Sequence, residues 1–357
     1  MMASVKRRPD GKWRARYRDE ADKEHARHFA RKVDAQQWLD SVTAAVVRGD
    51  YVDPQAGKAT VKAYADQWQR IQVSSDGTRR IVDNALRLHV LPTLGTHRLA
   101  AVRRSHVQAL VKALEDKGLS AGSIRNIYDV MAQVFSSAVE DRVIASTPCR
   151  RITLPKGAGG EVEIPTLEEV QAVRSALDER WQAIVVTLAG SGLRIGELLG
   201  LQVSDVDFLR RTIRVERQRL QSNELGPVKG RAARTVPVGQ VVIDELAAHL
   251  AAYPSDGALF GDEFGEPLTY RRWKRLLSDT GVGVTSHAFR HFAASALISG
   301  GASVKQVQTF LGHSSAVITL RTYAHLFPGD EDRTRDVLDA ALNPLADSVR
   351  TEAASSD

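Results

Sequence analysis

The chain has 357 residues, enough for two or three domains at roughly 100–200 residues each, and its 43% hydrophobic and 26% charged content is that of a globular protein rather than a disordered one. No stretch approaches the ~20 consecutive apolar residues of a membrane span, and a single cysteine, Cys149, excludes an internal disulfide framework and any multi-cysteine metal or iron–sulfur site. The net charge of +6 is unevenly placed: Met1–Lys32 carries 11 basic and 5 acidic residues, Asp330–Asp357 carries 3 and 8, and the body between them carries 35 and 30. A basic head and a mildly basic body favour a polyanionic partner. No apolar segment follows the basic N-terminus, so no secretory signal is read, and a reducing cytoplasm is the expected compartment.

Between Lys6 and Phe29 the residues alternate in the strand period. Trp13, Ala15 and Tyr17 share one face and Arg14, Arg16 and Arg18 the other. Asp10-Gly11 supplies a hairpin turn, and Ala35, Trp38, Leu39, Val42, Ala45 and Val46 form the stripe of a helix able to cover the aromatic face. A three-stranded sheet plus helix over residues 1–55 is expected, with Arg14, Arg16 and Arg18 as a cationic ribbon suited to a DNA groove. Residues 58–150 read as a bundle of about four helices, broken at Pro92, Gly95 and Gly118, with Ser120 as a helix cap; Arg79, Arg80 and Arg125 are its candidate DNA contacts. The glycine-rich stretch inside 151–162 reads as a linker. Thr166 and Glu169 then form a capping box that opens a third domain, 163–330, in which helices are interrupted by strands over Thr212–Arg219 and Ala233–Val238 with a Gly226–Gly230 turn between them. The fold class is thus multidomain and mainly α with small β-sheets, the third domain being α+β, followed by a tail over 331–357 with a short helix ending near Leu342.

Four islands in the third domain set charge among helix-forming, apolar neighbours. In AGSGLRIGELLGL, Arg194 and Glu197 stand at i,i+3 and can pair. In SHAFRHFAAS, His287, Arg290 and His291 share one helical face, and an Arg in the middle of that face disfavours a metal and suits an anion. Gly312 in LGHSS ends a helix that starts near Ser303 and leaves His313 at the junction, and Tyr323 follows ten residues later in TLRTYAH.

Taken together, Arg194, Lys229, His287, Arg290, His313 and Tyr323 resemble, in order and spacing, the signature of the tyrosine recombinase or phage integrase family. The resemblance implies that residues 1–55 are an arm-type DNA-binding domain, 58–150 a core-binding domain and 163–330 the catalytic domain. It implies a site-specific recombinase that cleaves and rejoins DNA through a 3′-phosphotyrosine on Tyr323. Arg194 and Arg290 would steady the charge of the five-coordinate phosphorus, so that no metal or nucleotide cofactor is required. Lys229 would protonate the leaving 5′-hydroxyl, His287 and His313 would bond the phosphate, and His287 would be the better acceptor of the tyrosine proton. Glu197 would orient Arg194 or His287 and His291 would buttress the site, while Arg231 and Arg234 near Lys229 are candidate DNA-backbone contacts. The partners implied are double-stranded DNA at core and arm sites, a homotetramer on DNA in which the tail docks on a neighbour, a host DNA-bending factor and a directionality factor, in a bacterial cytoplasm and without a membrane. A type IB topoisomerase and a catalytically silent DNA-binding regulator are the competing readings. A metal-dependent nuclease would require a carboxylate cluster, of which the islands supply only Glu197.

Overall fold

The computed structural model describes residues 3–18, 24–47, 56–157, 162–228, 233–327 and 335–342. The chain divides into two compact units, Met1–Gly159 and Gly160–Asp357.

The first unit opens with an antiparallel sheet, β1 (Ala3–Arg7), β2 (Trp13–Arg18) and β3 (Glu24–Phe29), with β2 in the centre. Strand alternation puts Ala15 and Tyr17 on the covered face, both nearly inaccessible, beneath helix α1 (Lys32–Val47), whose Trp38 ring lies 5.6 Å from that of Tyr17 and 5.7 Å from that of Phe29. The side chains of Ala45 and Val46, the far end of the expected stripe, lie outside the described residues. Helices α2 (Val61–Ile71), α3 (Asp76–Ala85), α4 (Leu91–Leu94), α5 (Arg104–Asp116) and α6 (Ala121–Glu140) follow. Three of them start on hydroxyl caps, Thr60, Ser75 and Ser120, whose oxygens accept from the third backbone N–H onward. Their common core runs from Val61 and Trp68 through Leu110 and Leu114 to Ile124, Met131 and Phe135.

Pro92 does not interrupt the chain as expected. A π turn over Leu86–Val90 joins α3 to α4, and Pro92 occupies the first turn of α4, where a missing N–H is tolerated. The expected linker also starts late: Ile152 and Leu154 pack on the bundle core, and Thr153 exchanges two 2.9 Å hydrogen bonds with the Gln108 side chain. Residues 158–161 lie outside the described residues.

The second unit is built on α7 (Leu167–Ala176), α8 (Glu179–Ser191) and α9 (Ile195–Leu199), then strands β4 (Val206–Asp207), β5 (Thr212–Val215), β6 (Arg217–Arg219), β7 (Leu225–Pro227) and β8 (Arg234–Pro237), then α10 (Gln240–Ala252), α11 (Tyr270–Asp279), α12 (Ser286–Ser299), α13 (Val304–Leu311) and α14 (Ala316–Tyr323). The capping box of Thr166 and Glu169 opens α7 as the sequence indicates. Helix α8 is apolar on most sides and is packed on by α7, α10 and α12, so its Ile184, Val185 and Leu188 form the middle of the core. The strands differ from expectation in one respect. Strands β4, β5 and β8 form one sheet, with Ile213 opposite Val236, whereas β6 and β7 form a separate two-stranded ribbon in which Gly226 faces Gln218. The turn of this ribbon falls over residues 220–224, where Asn223 adopts a positive φ of 73°; Gly226 and Pro227 of the expected turn are paired in β7, and Lys229 and Gly230 lie outside the described residues. A helix over 335–342 ends the described chain.

Trp273 is fully buried in α11 and its indole N–H donates to Ser286 Oγ at 2.9 Å, tying the core to the first residue of α12. Trp273→Ala is expected to remove about 3–5 kcal/mol from the stability of this unit, and Trp273→Phe, which loses the bond and less volume, clearly less. Chemical denaturation of the two variants beside the parent checks the ranking.

Candidate active site

The site grows from three elements, two chain reversals and a helix. At the first, α8 ends on Gly192 in the left-handed region (φ 59°), where any side chain would press on Phe310 and Leu311. The reversal leaves Arg194 as the N-cap of α9 and aims the Gly192 carbonyl across the site. Glu197 lies on the first turn of α9 with no exposed surface, and its carboxylate collects four bonds. Oε1 accepts from Arg194 Nη1 (2.9 Å) and Arg234 Nη1 (3.0 Å), and Oε2 from the Arg194 backbone N–H (2.9 Å) and Arg234 Nη2 (2.7 Å). Burial alone would raise the pKa of this carboxyl; the Arg234 bonds and charge, followed by those of Arg194, outweigh it and hold the pKa down at about 2.

The second element is α12, capped by Thr285. Arg290 is 1% exposed and donates through Nη1 to Gly192 O (2.6 Å) and through Nη2 to Leu311 O (2.5 Å). Burial, and next the repulsion of Arg194, pull its pKa to about 9, so the guanidinium stays charged at neutral pH. His291, one residue on, points its Nδ1 at the Tyr323 hydroxyl, 2.7 Å away, while His287, one turn earlier, meets the His291 ring edge-on at 4.6 Å between centroids. His287 reaches solvent as a whole, yet its ring is desolvated enough, with Arg290 and Arg194 nearby, for its pKa to fall.

The third element is the junction after α13. Gly312 takes φ 66° and turns the chain so that His313 Nδ1 bonds Thr319 Oγ1 at 2.9 Å, and Thr319, on α14, is itself fully buried. Tyr323 closes α14 with 1% of its surface exposed, among Ala294, Ile298, Val307 and Leu311. Burial raises its pKa above the ordinary 10, with Arg290 opposing. Desolvation is the first cause holding both His291 and His313 near a pKa of about 4, followed by His287 and Arg290 for the former and by Arg290 and Arg194 for the latter.

Of the residues singled out from sequence, Arg194, Glu197, His287, Arg290, His291, His313 and Tyr323 are gathered here by these contacts and mutual charge effects. Lys229 and Arg231 lie outside the described residues. Arg234 is spent on Glu197 instead of reaching outward, a role signalled by its alternation with Val236 and Val238, which places it on the inward face of β8. Thr319 carried no comparable signal. In the first unit, Arg14 and Arg16 lie on the uncovered face of the sheet and both pair with Glu24, at 2.8 and 3.3 Å, and Arg18 is exposed beside them. Arg79 and Arg80 are exposed on α3, where Arg79 pairs with Asp76, and Arg125 is exposed on α6. Arg103, Arg104, Arg150 and Arg151 line one concavity of the bundle. Among the described residues no three His, Cys, Asp or Glu side chains group as metal ligands, and no helix is long and apolar enough to cross a membrane.

Residues 163–329, which contain this entire arrangement, match the phage integrase family. The chain carries a phage integrase family domain over these residues, and it resembles tyrosine recombinases along most of its length. It is similar to a XerC-like tyrosine recombinase of Caldanaerobacter subterraneus subsp. tengcongensis, 27% identical over 68% of this chain and 72% of that one. The solved structure of the Tn1549 transposon integrase in complex with transposon right-end DNA superposes with a TM-score of 0.68 at 25% identity, over 79% of this chain and 99% of that one. A lambda integrase tetramer bound to a Holliday junction shares the fold, with a TM-score of 0.60 at 17% identity over 87% and 96% of the two chains. The recombinase is accordingly a site-specific DNA recombinase that catalyses strand cleavage and rejoining.

The depressed histidines have a consequence for stability. In the unfolded recombinase His291 and His313 bind protons near the ordinary 6.5, whereas in the folded unit they refuse them until about pH 4. The unfolded state therefore holds more protons in that window, and stability falls as pH is lowered from about 6.5 to 4. Replacing both residues by Gln is expected to flatten the fall, as read from thermal midpoints across the window; an unchanged slope contradicts the assignment.

Proposed function

We propose that this recombinase integrates or excises a phage or other mobile element, with Tyr323 as the nucleophile that forms a 3′-phosphotyrosine. The observation that supports this best is the 2.7 Å contact between the Tyr323 hydroxyl and His291, on the same helix that carries Arg290. In this reading the phenolic oxygen attacks phosphorus, Arg194 and Arg290 stabilise the equatorial oxygens, and the 5′ oxygen leaves with a proton from Lys229. His313 and His287 bond the phosphate. The tyrosine proton has two candidate acceptors, His287 from the resemblance and His291, which is the one in contact with the hydroxyl. Because the bond energy is kept in the phosphotyrosine, no cofactor enters the scheme.

The reading extends to the other parts of the chain. The bundle of α2–α6 would hold core-site DNA through Arg79, Arg80 and Arg125, and the sheet β1–β3 would hold arm-site DNA through Arg14, Arg16 and Arg18. A homotetramer on DNA, as formed by the lambda integrase relative on its junction, is the expected assembly. The helix over 335–342, which exposes Val337, Leu338 and Leu342 by half or more, is the segment expected to dock on a neighbouring copy. The bacterial cytoplasm, a DNA-bending host factor and a directionality factor complete the proposal.

Tyr323→Phe is expected to bind core-site DNA normally and to form no covalent adduct on a suicide substrate, as seen by denaturing electrophoresis. An adduct in that variant refutes the nucleophile, and plasmid relaxation without two-site recombination by the parent would favour the topoisomerase reading. For the arm, replacing Arg14 and Arg16 together by Ala is expected to weaken arm-site binding and to lower the slope of log K against log salt by about 2. Suicide cleavage of an isolated core site should be unaffected; loss of core cleavage, or unchanged arm binding, contradicts the division of labour.

A further inference from the structure

The catalytic reading accounts for Arg194 and Arg290 but leaves a third guanidinium unexplained. Arg234 comes from β8 rather than from any of the signature islands, its side chain is 14% exposed, and it meets Glu197 fork to fork at 3.0 and 2.7 Å. Its approach is built into the backbone. A Cβ on Gly312 would lie 2.9 Å from Arg234 Cδ and Nε and 3.0 Å from Cζ, so the glycine next to His313 is the seat on which the guanidinium rests. Arg234 Nε is buried there without a partner among the described residues, so the side chain forgoes one bond in order to place both Nη atoms on the carboxylate.

An arginine offers five N–H donors, and Arg194 gives Glu197 only the one at Nη1, its backbone N–H supplying the other contact. The remainder of the Arg194 fork is left for an anion. Glu197, with no exposed surface, needs positive partners on both oxygens, and Arg234 provides two of its three side-chain bonds. Without Arg234 the nearest cation able to satisfy the buried carboxylate is Arg194, which would close on it in bidentate fashion and turn its fork away from any phosphate.

We propose that Arg234 is a positioning residue of the cleavage site: by occupying both oxygens of Glu197 it keeps the Arg194 guanidinium available to the scissile phosphate. The proposal rests on the reading that Arg194 binds that phosphate. It assigns Glu197 two opposed effects, fixing Arg194 when Arg234 is present and sequestering it when Arg234 is absent.

The test is a double-mutant cycle on the full-length protein, read as the rate of covalent adduct formation on a suicide core substrate, with DNA affinity measured in parallel. Arg234→Met is expected to bind DNA within threefold of the parent and to cleave about 100-fold more slowly, the size of effect seen when one preorganised charge contact is lost. Adding Glu197→Gln to Arg234→Met removes the charge that captures Arg194, and at least a tenfold recovery of rate is expected, although a second buried group has been altered. Arg234→Lys, which keeps the charge and loses the fork, is expected to fall between the parent and Arg234→Met, and serves if the methionine variant proves too unstable to assay. A residue that merely fills space beside Gly312 gives no such recovery. Arg234→Met cleaving within threefold of the parent, or a double variant no faster than Arg234→Met, overturns the proposal while the phosphotyrosine reading stands. Arg194→Ala cleaving like the parent overturns both.

Discussion

Everything in the catalytic unit depends on keeping like charges together around a buried guanidinium, Arg290, and the buried carboxylate of Glu197 is what permits it. Arg194, Arg234 and Arg290 all perturb one another or the same histidines. Two unit charges 4 Å apart interact by about 4 kcal/mol at the effective dielectric constant of a protein near its surface, so a bare cluster of this kind would open. Glu197 neutralises one charge and fixes two guanidiniums by direct bonds. Among the described residues no carboxylate bonds Arg290. Its hydrogens go to the Gly192 and Leu311 carbonyls, which satisfy its geometry without cancelling its charge, and burial followed by the repulsion of Arg194 lowers its pKa to about 9. The unit thus retains net positive charge at the base of the site, which is the condition for attracting an anion.

The same need explains why the site is assembled from chain reversals. The two carbonyls that hold Arg290 come from residues where helices end, Gly192 after α8 and Leu311 at the end of α13, where a carbonyl has no partner within its own helix and can turn towards a side chain. Both helices end on a left-handed glycine, and each glycine also removes a side chain that would collide with its neighbours, Phe310 at one and Arg234 at the other. Helix termination, charge solvation and close packing are therefore one structural solution here.

This bears on what could be read before the structure. The elements whose signals are local were legible: the alternation of Trp13, Ala15 and Tyr17, the hydroxyl caps at Ser120 and Thr166, and the glycine that ends α13 all appear where the spacing places them. Most of the site was legible as well, because its residues lie in short islands whose charge is conspicuous among apolar neighbours. The failures have a common origin in non-local contacts. Pro92 reads as a break, but the π turn that accommodates it depends on packing of Leu86 and Val90 in the bundle core. Gly226-Pro227 reads as a turn, but pairing with Arg217–Arg219 draws it into a strand. His291 reads as a buttress because nothing in the sequence says that Tyr323, 32 residues later, returns to it.

That last contact also defines the state in which the chain is seen. The Tyr323 hydroxyl is buried and its pKa lies above 10, while the imidazole facing it has a pKa of about 4. Moving the proton from one to the other is then uphill, so the pair is set for holding the tyrosine rather than for ionising it. The causes are partly reversible. His291 is depressed by burial and by positive neighbours, chiefly His287 and Arg290, and the charge of Arg290 is the part that an anion can offset. On the proposed reading, a phosphodiester placed against Arg290 and Arg194 would supply that anion, raising the basicity of His291 as its negative charge arrives. Burial of the nucleophile and positive charge around its neighbour would then have one outcome: a phenol that is inert towards water and becomes reactive only in the presence of the group it attacks.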